Sequence, residues 1–171
     1  KEISYNNLLD IEVALNCSDE FIEPTVCIVK HNNPCGVASS KKILDAFNKA
    51  YACDPISAFG GIISLNRRVN YVLARKINSF FFEVIIAKKF SKEAKKVFDN
   101  KKNLILIETE KINKTNNKDE REVRSIQGGI IIQDKNYIKI NNKNIQCVSF
   151  KKATKNEIDD LIFAFKISKF V

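Results

Sequence analysis

The chain's single histidine, His31, stands in the run Lys30-His-Asn-Asn-Pro-Cys-Gly36, directly after the apolar stretch Thr25-Val-Cys-Ile-Val29. Imidazole changes charge near neutral pH and suits proton transfer, and an ammonium beside it can stabilise developing negative charge. Lys30 and His31 are therefore the first candidates for chemistry. Consecutive side chains on a regular strand point to opposite faces, so the two share one cleft only if the strand ends or twists there. Pro34 favours such an ending, because it disfavours the α region for Asn33 and removes a ladder donor. Taken alone, His31 reads equally as a structural histidine or a catalytic one.

All five glycines fall beside predicted strand ends, as Gly36, Gly60-Gly61 and Gly128-Gly129. Glycine there permits a positive φ or close backbone approach to a ligand. The clustering predicts a shared site, although ordinary tight turns would explain any one of them. None fits G-x-G-x-x-G or the Walker A spacing, which removes dinucleotide and P-loop readings. The five cysteines (Cys17, Cys27, Cys35, Cys53, Cys147) are odd in number and form no C-x-x-C pair, so they read as reduced thiols. With one histidine, a zinc site is poorly supported. The zinc-deaminase signature H-x-E…P-C-x-x-C fails here, because Asn33 occupies the acid/base position and no cysteine follows Cys35 at the required spacing.

Around these residues, helical and strand periodicities alternate. Helices are predicted over Leu8 to Phe21, Lys41 to Tyr51 (capped by Ser39 or Ser40), Tyr71 to Phe82, Ser91 to Asp99, and from Thr154 to the terminal Val171. Glu157, three residues after Thr154, completes a capping box. Strands are predicted at Thr25 to Val29, Gly61 to Leu65, Glu83 to Ala87, Asn103 to Ile107 and Gly129 to Gln133. The polar segments Glu108 to Glu122 and Lys135 to Asn144 read as a surface loop and an insertion. The βαβαβ order predicts one α/β domain with a mostly parallel sheet, whose ligands should bind at the carboxyl ends of the strands.

The chain has 171 residues, 44% of them hydrophobic, with 29 Lys+Arg against 20 Asp+Glu and a net charge of +9. Lysine is scattered and arginine scarce, so the charge bears on solubility and not on a nucleic-acid surface. No stretch approaches the roughly 20 apolar residues of a membrane span, and the first residues lack a continuous apolar signal core. The expectation is a soluble cytoplasmic protein with no metal, nucleic-acid or membrane partner.

Four segments, KHNNPCGVA (30–38), DPISAFGGIISLNR (54–67), FEVIIA (82–87) and RSIQGGIIIQD (124–134), together resemble the AICAR transformylase domain of a bifunctional purine-synthesis family, AICAR transformylase/IMP cyclohydrolase. ISYNN (3–7) and FAFKISKFV (163–171) are similar to the same domain, in the same order. The resemblance implies a cytidine-deaminase-like three-layer α/β/α subdomain without zinc. It also implies formyl transfer from 10-formyltetrahydrofolate to the 5-amino group of AICAR, giving FAICAR in IMP biosynthesis. By position in the family motifs, His31 would be the general base and Lys30 would stabilise charge on the formyl oxygen. His31, Gly60 and Glu83 would contact AICAR.

Phe59 reads as a core residue, Asp54 equally as a turn residue or a ligand, and Lys88 stands where the family usually has proline. The resemblance covers the first transformylase subdomain only. On this resemblance the cyclohydrolase domain, an R-Y-G-x-N-P-H-Q-like segment and the second transformylase subdomain are expected to fall outside these residues, and the family completes its folate site from that second part and across a homodimer interface. A non-catalytic interaction subdomain that needs a complementing chain is the alternative expectation.

Overall fold

The strand β1 (Thr25–Lys30) is buried along its whole length except at Lys30, which marks it as a strand covered on both faces. β3 (Gly61–Leu65) and β4 (Phe82–Ala87) are almost as apolar, and with β2 (Asn33–Ser39) and β5 (Ile105–Glu108) they form one five-stranded sheet. Its order is β2-β1-β3-β4-β5. β3 pairs in parallel with β4, and β4 with β5, whereas β1 runs antiparallel to both its neighbours. Four strands thus point one way and β1 alone points the other, in a computed structural model that describes residues 2–110, 121–136, 138–140 and 145–171.

Alternation along these strands feeds two cores. On one face Cys27, Val29, Ile62, Val84 and Ile86 pack against Ala14 and Cys17 of α1 (Tyr5–Asp19). On the other, Val26, Ile28, Ile63, Leu65 and Ile85 pack against Phe47 of α2 (Ile43–Cys53), Leu73 and Ile77 of α3 (Tyr71–Asn78), and Ala94 and Phe98 of α4 (Lys92–Phe98). The result is the expected α/β arrangement, helix layer on each side of a mostly parallel sheet. Ser4, Asn70 and Ser91 cap α1, α3 and α4 by accepting a backbone N–H three residues on.

Two compact units divide the chain, Lys1–Lys111 with Phe170–Val171, and Ile112–Lys169. The second holds an antiparallel hairpin of β6 (Arg121–Ile126) and β7 (Gly129–Asp134), and α5 (Lys155–Ser168) with the capping box Thr154/Glu157 formed. Most of the polar segments around 108–122 and 135–144 lie outside the described residues. Where they are described, Glu108 closes β5 and Arg121 and Glu122 open β6, so both ends of the segment read as a surface loop belong to strands.

Several boundaries differ from the periodicity. α1 starts earlier, at Tyr5, and α2 starts at Ile43 behind Lys42, which makes no side-chain cap. α3 stops at Asn78 because Phe82 belongs to β4, and α5 stops at Ser168. β2 is the main omission. Its Asn-Pro-Cys-Gly start reads as a break, yet as an edge strand it tolerates proline.

Candidate active site

β1 turns into β2 through two residues only, His31 and Asn32, with Lys30 paired to Asn33. Both turn residues take positive φ, 56° and 61°, the type I′ pattern that matches the twist of a hairpin. Neither is glycine. Asparagine and histidine enter this region more readily than most residues, but each such residue still costs roughly 1–3 kcal/mol, so the surroundings must hold the turn. Asp10 of α1 does so directly: its Oδ1 accepts the Asn32 N–H at 2.5 Å. Just beyond, Ile28 pairs with Gly36 and Val29 with Pro34, leaving Cys35 as the extra residue of a β-bulge.

Lys30 is anchored at its far end, where Nζ donates to the Phe59 carbonyl at 2.7 Å. An ammonium has three donors, so one such bond fixes it without exhausting it. The segment 54–60 that presents Phe59 is built by Asp54, whose carboxylate accepts the Ile56 and Ser57 amides at 3.1 and 2.9 Å and the Ser57 hydroxyl at 2.5 Å. The Ser57 hydroxyl, followed by its amide, holds the Asp54 carboxyl below the usual carboxylate range. Asp54 is therefore a turn builder. Gly60 follows with φ 73°, and its N–H donates to the Phe81 carbonyl at 2.9 Å. Phe59 is not in the core. It is 63% exposed and its ring stands 5.1 Å from that of the half-exposed Phe81, because the chain reverses at Gly60 before entering the sheet.

Glu83, second in β4, is reached from α1, where Asn7 Nδ2 donates to its Oε2 at 3.3 Å. In the sheet Val29 lies opposite Ile62, and Gly61 opposite Phe82. That register gathers Lys30, His31, Gly60 and Glu83 at one end of the sheet. It is the carboxyl end of β1 but the amino end of β3 and β4, so the expectation of a site at carboxyl ends holds for β1 alone. The cause is the reversed direction of β1.

Two other glycines serve their own elements. Gly36 sits within β2, where an added Cβ would lie 2.1 Å from the Ala50 carbonyl oxygen of α2; Gly128 takes φ 87° in the β6–β7 turn. The cysteines are all free thiols. A hydrogen bond with Cys17, then burial, raises the Cys27 thiol well above its ordinary value, and burial followed by the nearby Asp54 raises Cys35. Neither is poised as a thiolate nucleophile. Among the described residues no group of three or more His, Cys, Asp or Glu could hold a metal ion, and no helix is long and apolar enough to cross a membrane. Lys88, at the opposite end of β4, pairs with Asp19 of α1 at 3.1 Å.

Two contributors were not singled out from the sequence, Asn7 as the partner of Glu83 and Asp10 as the holder of the turn. A signal existed. The buried stripe of α1 runs through Ala14 and Cys17, and its helical period extended backwards falls on Asp10 and Asn7.

Three curated relatives illustrate what the chain is similar to, each called "Bifunctional purine biosynthesis protein PurH". The one from Acetivibrio thermocellus is 44% identical over 169 residues, 99% of this chain and 33% of the relative. Those from Bacillus cytotoxicus and Fusobacterium nucleatum are 43% and 44% identical, each covering 100% of this chain and 33% of the relative. The chain thus spans about a third of the length of the curated relatives it matches. The family described as "AICARFT/IMPCHase bienzyme" matches residues 1–171 in full, and the chain belongs to that family.

Proposed function

We propose that this chain carries the reacting-centre residues for transfer of a formyl group from 10-formyltetrahydrofolate to the 5-amino group of AICAR, giving FAICAR in cytoplasmic IMP biosynthesis. The observation that carries this reading is the meeting of Lys30, His31, Gly60 and Glu83 at one sheet end in a member of this family. His31 is the general base: as the C–N bond to the AICAR amine forms, the amine's proton passes to the imidazole, and the imidazolium's proton goes to the folate nitrogen as its bond to the formyl carbon breaks. Lys30, held in place through Phe59, offers its remaining donors to the charge on the formyl oxygen. The Gly60 backbone and the Glu83 carboxylate bind AICAR. No covalent intermediate is required; holding two substrates in register supplies much of the acceleration.

On this reading the chain is the first transformylase subdomain. A second subdomain and a homodimer partner complete the folate site. Replacement of His31 by Ala in the polypeptide that carries this chain is expected to lower kcat by about 100-fold or more, the contribution of a positioned base. Retained turnover would remove His31 from the role.

A second reading, an interaction subdomain without activity of its own, is favoured by one observation: Val123, Ile130, Ile131 and Ile132 of the β6–β7 hairpin are each more than half exposed. Calorimetric titration of this chain with AICAR separates the two. Heat of binding that weakens in His31→Ala supports the first; a folded chain that binds no AICAR means that the site needs segments beyond these residues and that this piece has no activity of its own.

A further inference from the structure

The two-residue turn that carries His31 lacks a glycine, and a hairpin of this kind does not itself use the N–H of its second turn residue. Both the positive φ values and that N–H therefore need an external hold. One carboxylate meets both needs. Asp10 lies one helical turn beyond Asn7, so the same face of α1 that reaches Glu83 also reaches the Asn32 N–H. The helix is fixed below by Ser4, which caps it, and by the burial of Ala14 and Cys17 against the sheet. Asp10 is thus delivered by a packed element, not by a loop.

We infer that Asp10 is a positioning residue for His31: its carboxylate locks the His31–Asn32 turn in the left-handed conformation and so sets where the imidazole stands relative to Lys30 and Glu83. The inference rests on the formyl-transfer reading above for its consequence in catalysis, but not for its structural content. A charged acceptor makes a stronger bond to a backbone N–H than a neutral one. A catalytic group displaced by about 1 Å can lose some 100-fold in rate while substrate binding is spared.

The test uses Asp10→Ala and Asp10→Asn in the polypeptide that carries this chain, with two readouts. Amide hydrogen exchange at Asn32 is expected to speed up at least tenfold in Asp10→Ala, with β3 and β4 amides unmoved, and less in Asp10→Asn, which keeps an acceptor oxygen. Formyl transfer is expected to fall 10- to 100-fold in kcat for Asp10→Ala and about threefold to tenfold for Asp10→Asn, with the KM for AICAR changed less than threefold. Unchanged Asn32 exchange and unchanged kcat overturn the inference, as does a loss confined to KM. If Asp10→Ala does not fold, Asp10→Asn decides, and a wild-type kcat in it overturns the inference. The two readings fail separately. Should His31→Ala retain turnover while Asp10→Ala still frees the Asn32 amide, the turn lock stands and the base assignment falls.

Discussion

At Gly36 the backbone of α2 leaves no room for any side chain. A Cβ there would lie 2.1 Å from the Ala50 carbonyl oxygen and 3.1 Å from its carbon, both backbone atoms that move only with the helix. Gly36→Ala is therefore expected to destabilise the fold by about 2–3 kcal/mol, the range for overpacking a filled interior. Urea unfolding checks it; an unchanged midpoint would mean that α2 slides freely on β2. The residue scale also shows what the sequence could and could not reveal. Lys30 and His31 stood out by residue type and by their place after an apolar strand, whereas Gly60 and Glu83 were singled out as substrate contacts only through the family resemblance. The left-handed turn was not legible, since His31-Asn32 carries none of the glycine that usually announces one. Phe59 misled because an aromatic in an apolar run reads as core, whereas Gly60 reverses the chain beside it.

Among the elements, burial separates the two hairpins sharply. β1 is shielded on both faces and pairs with β3 as well as with β2, while every residue of β6 and β7 is exposed. A two-stranded hairpin in water is marginal unless something covers it. In the isolated chain, amides of β6 and β7 are expected to exchange about 100-fold or more faster than those of β3, as low local burial dictates. Comparable protection in both would show that the second unit is as stable as the first. Element types were largely legible, with α1 to α5 and five of the seven strands readable from periodicity and caps. β2 was hidden by proline and glycine at an edge, and β6 because Arg-Glu-Val-Arg-Ser-Ile lacks an apolar face to betray it. The reversal of β1 was beyond reach: the βαβαβ order argues for parallel neighbours, and β2, the strand through which the chain turns back, was itself hidden.

For the molecule as a whole, the reversed β1 has a consequence in time. Bringing β1 onto β2 closes a loop of two residues, whereas pairing β3 with β4 needs the chain to go out through α3 and back. Loop-closure entropy rises with length, and hairpins form in roughly 1–10 μs. Folding should then begin at the hairpin that carries Lys30 and His31, with β4 and β5 added later. Comparing Val37→Ala in β2 with Val84→Ala in β4 tests this order, with φ-values of about 0.5–0.8 expected for the first and 0–0.3 for the second. The reverse ranking would place the nucleus in the parallel half of the sheet. If the order holds, the geometry of the reacting pair is settled among the earliest contacts the chain makes, and substitutions that weaken the rest of the sheet would hasten unfolding without slowing the assembly of that corner.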